Sequence, residues 1–171
     1  MLRNLTAALL LVAALVLQVS FANRLLGSFA PDLVLLTVAA LAVLRGPVPG
    51  AVIGFFGGLG YDLLPPANHT LGQYALVMCA LGYVAGRTGE RLPLLAVLLC
   101  AVAEPGLAAG LGALIGSPGV TWTVLRTAWP REALCNLVVA PLVLRAVTAL
   151  HSQRRRGGGG ELVTSWRRGT A

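Results

Sequence analysis

The chain has 171 residues, 57% hydrophobic and 11% charged, with a mean hydropathy of +0.81. A soluble domain carries about a quarter charged residues, so these side chains cannot cover a water-facing surface, and a soluble globular domain is excluded. The net charge of +7 rests on 13 arginines and no lysine, scattered through short hydrophilic gaps and the C-terminus rather than along one amphipathic face, which excludes a nucleic-acid-binding surface.

A membrane-crossing helix needs roughly 20 apolar residues, within a range of about 17–25. Six apolar runs follow one another. The first, 5–22, contains no charge. It shares features with a secretory signal: Arg3 stands before it and Ser20-Phe21-Ala22 is a small-x-small triplet. Its apolar core is longer than a signal's, and the topology after it is the same in either case. The second run, 31–44, is short for a full span. The third, 48–64, is rich in glycine. The fourth is 70–86. The fifth, 92–115, is interrupted by Glu104-Pro105, and the sixth, 133–150, contains Arg145. The expected fold is all-α: a polytopic membrane helix bundle of about six transmembrane helices over residues 1–150. A basic cytoplasmic tail, 151–171, follows, in which Arg154 to Arg156 and four glycines favour disorder.

Arginine distribution sets the expected orientation. With the N-terminus inside, ten arginines fall on the inner side (3, 45, 87, 91, 145, 154, 155, 156, 167 and 168) and three on the outer (24, 126 and 131). Both termini are therefore expected in the cytoplasm.

Several residues stand out against the apolar background. Gly50, Gly54 and Gly58 form a ridge along one helix, continued by Asp62. Small residues at this spacing let a second backbone come close, either within the chain or from another subunit. Gly82/Gly86, Gly106/Gly110 and Gly112/Gly116 repeat the spacing more weakly. Pro31-Asp32 opens the second run as a first-turn proline with an acidic residue suited to the helix dipole. Asp32 and Asp62 are expected near the same outer face, within reach of Arg24, His69, Arg126 or a partner protein. Glu104 lies near the middle of the fifth run, where a charge is a candidate functional group by default. Pro105 after it frees a backbone carbonyl, and the long side chain of Arg145, nearer the inner face, is expected either to reach toward Glu104 or to snorkel to water. Trp122, Leu125 and Trp129 recur at helical spacing, which predicts an interfacial segment over 120–129 on the outer surface. Cys79, Cys100 and Cys135 lie inside apolar runs without metal-ligand spacing and read as small buried hydrophobes. No GxSxG, Walker A, HExxH or Asp-rich metal motif is present, so no catalytic residue, cofactor or metal is assigned. An intramembrane enzyme would rest on Glu104 alone.

One ordered pattern is specific. Pro31-Asp32-Leu33 opens a short apolar helix ending at Arg45-Gly46. A helix reading Gly50-x-x-x-Gly54-Phe55-x-x-Gly58-Leu59-x-x-Asp62-Leu63-Leu64 follows, then Leu71-Gly72-x-Tyr74-Ala75-Leu76 and Gly82-Tyr83. This order resembles the MreD family, small polytopic subunits of the bacterial cell-shape machinery. The resemblance spans roughly residues 5–150 and is concentrated between Pro31 and Gly86. It implies a non-enzymatic scaffold in the bacterial plasma membrane that binds an MreC-like protein. It implies further association with MreB, RodA and a class B penicillin-binding protein in directing peptidoglycan synthesis. It also implies a bundle similar to the S components of energy-coupling-factor transporters. The alternative reading is therefore a substrate-binding subunit of a vitamin or small-molecule transporter, with Asp32, Asp62, Asn68, His69 and Gln73 lining an outer pocket. On the scaffold reading, the ridge of Gly54, Gly58 and Asp62 is the candidate seat for a partner's helix.

Overall fold

A computed structural model describes residues 2–22, 30–64, 70–116 and 122–157, and every regular element among them is helical. The six helices are α1 (Leu2–Leu17, continued by a π-helical turn, Gln18–Ala22), α2 (Leu33–Arg45), α3 (Pro47–Asp62), α4 (Gln73–Thr88), α5 (Pro93–Ile115) and α6 (Trp122–Gly157). They follow the six apolar runs in order. Proline and glycine set several of the ends. Pro47 and Pro93 stand in the first turns of α3 and α5, where the missing N–H is no loss. Gly116 closes α5 in the left-handed conformation at φ +78°, which glycine adopts without a Cβ clash.

The shortest helix is the central one. In α2 every residue from Val34 to Ala42 is buried, and α1, α3, α4, α5 and α6 all pack around it. A helix apolar on every side needs such a surround. Its 13 residues cover about 20 Å, against roughly 30 Å of hydrocarbon in a bilayer. At least one end of α2 thus falls within the membrane's thickness.

Around this centre, α3 and α4 form an antiparallel pair in backbone contact, and α5 and α6 form a second, longer wall. Among the described residues, two stretches are long and apolar enough to cross a membrane, Pro93–Ile115 (23 residues) and Arg126–Ser152 (27 residues). Only 39% and 28% of their most apolar windows are buried inside the chain, so each leaves apolar side chains uncovered by the rest of the bundle. Leu94, Leu99, Leu107, Leu134, Val138 and Leu142 are among these exposed side chains. Lipid, not water, suits such faces, and the architecture is that of a membrane helix bundle.

Two local expectations change. Residues 122–129 are not a separate interfacial segment, because α6 runs without a break from Trp122 through Pro130 and Pro141; 120 and 121 lie outside the described residues. The side chains of Trp122 and Leu125 lie outside the described residues. The helix also passes the tail boundary drawn at Leu150 and continues to Gly157, while 158–171 lie outside the described residues.

Candidate functional site

The first backbone N–H groups of any helix lack intrahelical partners. In α2 this end is buried, so the donors must be met by protein. Asp32 caps its own helix, its Oδ1 accepting from Leu35 N at 2.9 Å. Leu33 N donates to Gln18 Oε1 at 2.8 Å. Asp32 N donates to Asn136 Oδ1 at 2.6 Å. Acceptors from α2 itself, from the π-helical turn after α1 and from α6 thus close one helix end. Asp32, Gln18 and Asn136 are all buried, and in hydrocarbon each such N–H left unmet costs several kcal/mol.

Asp62 does the same for α4 from a neighbouring helix. Its carboxylate accepts from Gly72 N at 2.9 Å, Tyr74 N at 3.2 Å and Ala75 N at 3.1 Å. A negative charge on these amides complements the positive end of the helix dipole. Next to this cap, Gln73 Nε2 donates to Ala108 O of α5 at 2.7 Å, and the rings of Tyr61 and Tyr74 lie 4.8 Å apart. Asp32 and Asp62 both hold backbone amides. Arg126 is exposed, and Arg24, Asn68 and His69 lie outside the described residues.

The glycine ridge faces inward. A Cβ on Gly50 would strike Gly82 O and the side chain of Ala42, one on Gly54 would strike Met78 O, and one on Gly58 would strike Tyr74 O and Ala75 Cα. Gly82 and Gly86 return the contact against Gly50 and Gly46. The ridge therefore lets the α3 and α4 backbones touch. The reading of Gly54, Gly58 and Asp62 as a seat for a partner's helix is corrected: α4 fills it. Gly110, by contrast, has nothing within 4 Å of an added Cβ.

Proline 105 sits inside α5, and a proline there interrupts the hydrogen-bond ladder. Trp129 of α6 lies beside this break, its Nε1 donating to Val102 O at 2.9 Å, and its ring comes within 3.0 Å of a Cβ added at Gly106. This contact sets α6 against α5: residue 129 lies level with residue 102. Arg145 is more than four turns further along α6, about 24 Å at the helical rise, and is exposed. The expected pairing of Arg145 with Glu104 is therefore absent. Glu104 is instead buried at 5% exposure and lies within electrostatic range of Asp32 and Glu132.

Gln18, Glu132 and Asn136 belong to this polar layer and escape a reading based on motifs. The signal that could have found them is solitude: a lone Gln or Asn inside an apolar run has to meet a partner within the bundle.

The layer is built from Pro31-Asp32, Asp62 and Gly72-x-Tyr74, the residues on which the family pattern rests. Residues 1–150 match the family described as rod shape-determining protein MreD. No curated protein and no solved structure matches the chain. The match covers α1 to α5 and α6 as far as Leu150, and the chain therefore belongs to the MreD family of rod shape-determining membrane proteins.

Proposed function

We propose that this chain is a non-enzymatic, multi-pass scaffold of the cell-wall elongation machinery. It holds an MreC-like partner in the bacterial plasma membrane and helps organise peptidoglycan synthases, namely RodA and a class B penicillin-binding protein, with MreB filaments on the inner side. Both termini are cytoplasmic. The observation that carries this reading is the family match over residues 1–150.

Two features support it. Most of the buried polar side chains given to helix ends and carbonyls, Asp32, Asp62, Gln18, Asn136 and Gln73, serve architecture rather than chemistry. The glycine ridge is consumed within the chain, so the partner binds elsewhere, on the outward faces of the bundle. Arginine distribution supports the orientation.

The test is a mild-detergent pull-down of the tagged full chain from its native membrane, read by mass spectrometry. Recovery of a periplasmic coiled-coil protein together with cell-wall synthases is the expected result. Recovery of paired ATPases with a coupling subunit would overturn the scaffold reading and make the chain a transporter component.

A further inference from the structure

The last turns of α6 leave the bundle. Asn136, Ala140, Leu144 and Val147 recur at helical spacing and are all buried, and α6 packs on α2 and α5. Beyond Val147 the described side chains are half-buried or exposed, with Ala149, Leu150 and Ser152 exposed. The helix itself does not stop there and runs without a break to Gly157.

Length and sequence fix what this extension presents. The apolar stretch able to cross the membrane ends at Ser152. Gln153 follows, then Arg154, Arg155 and Arg156 in the last turn of the helix. By the helical rise, positions 154–156 lie about 10–14 Å beyond Val147 and about 3–6 Å beyond Ser152. The headgroup layer on each side of a bilayer is about 5–8 Å deep. A continuous helix thus delivers three consecutive arginine positions to headgroup depth, clear of the buried face.

Their spacing points to the kind of partner. No acidic residue stands within a helical turn of Arg154–Arg156 on either side, so the i,i+4 pairing that commonly offsets charge along a helix is missing. Consecutive helical positions step by about 100°, so three in a row divide the circumference instead of marking one face. A folded protein reads one face of a helix, at i, i+3 and i+4 spacing. A layer of mobile anions that surrounds the helix on every side suits the arginine positions better, and guanidinium groups match phosphate oxygens in pairs.

We propose that the end of α6 is an anionic-phospholipid contact, in which Arg154, Arg155 and Arg156 bind the headgroup phosphates of the leaflet where the helix emerges and so fix its depth in the bilayer. The segment lies beyond residue 150, where the family match stops, and the contact is independent of the scaffold reading and of which side of the membrane the helix ends on.

The experiment is hydrogen exchange, read by mass spectrometry, on the full chain in nanodiscs of phosphatidylcholine alone or of phosphatidylcholine mixed with phosphatidylglycerol. Exchange over 150–160 is taken relative to the turn at 87–92, where Arg87, Glu90 and Arg91 are exposed, which corrects for the effect of a charged surface on exchange itself. The expected result is a slowing of at least about fivefold in the anionic discs, the worth of one arginine near such a surface. The slowing should vanish in about 1 M salt, where screening leaves a reach of about 3 Å. Replacing all three residues, Arg154→Gln, Arg155→Gln and Arg156→Gln, keeps good helix formers and should abolish it. Arg167→Gln with Arg168→Gln removes charge beyond the helix and should leave it in place. Equal exchange in both discs, protection that survives salt, or equal loss in the two variants overturns the proposal. Protection found in native membranes and not in anionic discs assigns the segment to a protein partner and equally overturns it. The salt reversal is read on the parent chain and decides the matter if a variant fails to fold.

Discussion

Asn136 of α6 accepts the backbone N–H of Asp32 at 2.6 Å, across 104 residues of sequence. This bond and that of Gln18 to Leu33 N tie the N-terminus of the central helix to the two ends of the chain. Asn136→Leu keeps the bulk and removes the acceptor, leaving a buried amide unmet at a cost of about 1–3 kcal/mol. We expect a lower melting temperature in detergent and faster amide exchange at the start of α2. Asp32→Asn retains a capping oxygen and should melt close to the parent, whereas Asp32→Ala should lose about 0.5–2 kcal/mol.

The glycines of α3 and α5 should respond in opposite directions. Gly54→Ala places a methyl on the backbone of Met78, so α3 and α4 must separate, and overpacking of this kind costs about 1–3 kcal/mol or more. Gly110→Ala meets open space and exchanges glycine for a better helix former, a gain of up to about 1 kcal/mol. Size-exclusion profiles and melting of the two variants check the contrast. Equal behaviour would contradict the packing described for α3 and α4.

Asp62 should prove indispensable to α4 through charge as well as through hydrogen bonding. Asp62→Ala leaves the amides of Gly72, Tyr74 and Ala75 without their acceptor, and each bond to a charged group is worth about 1.5–3 kcal/mol. Asp62→Asn keeps one acceptor oxygen and loses the charge that favours the dipole, so its stability should fall between alanine variant and parent. Hydrogen exchange over residues 70–76, compared among the three proteins, reads the order.

Trp129→Phe preserves the ring against Gly106 and removes the donor to Val102 O. The expected loss is about 1 kcal/mol, with faster exchange confined to the turn around Pro105.

Arg145 and Glu104 should act independently. Their variants, Arg145→Gln and Glu104→Gln, are expected to add in melting free energy within about 0.3–0.5 kcal/mol, as distant sites do. A larger coupling would mean that the two side chains meet.

Much of the architecture is legible in the sequence because local chemistry carries it. The starts of α3 and α5 are written in Pro47 and Pro93, and the end of α5 in Gly116. Glu104 announces itself as a lone charge in an apolar run. The occupant of the glycine ridge is not legible, since spacing defines a face of α3 but not which helix lies on it. The partnership of Asp32 with Asn136 is hidden for the same reason: nothing local to either residue points across 104 positions. Pro130 and Pro141 both stand inside α6, since a proline that would end a helix in water is tolerated where neighbouring groups re-satisfy the backbone. That tolerance is why α6 absorbs the stretch expected to be a separate interfacial segment.

The enclosure of α2 has a consequence for biosynthesis. This helix precedes four others, yet the residue that completes its cap, Asn136, lies in the last of the described helices. Until α6 arrives, the N–H of Asp32 has no acceptor from that side and one wall around the central helix is missing. A ribosome that stops after α5 would release a chain with an open flank in the lipid, the kind of defect that membrane quality-control proteases detect. The bundle is thus closed only when α6 is in place, and an abundance assay of chains truncated before Asn136 would register the open flank as rapid turnover.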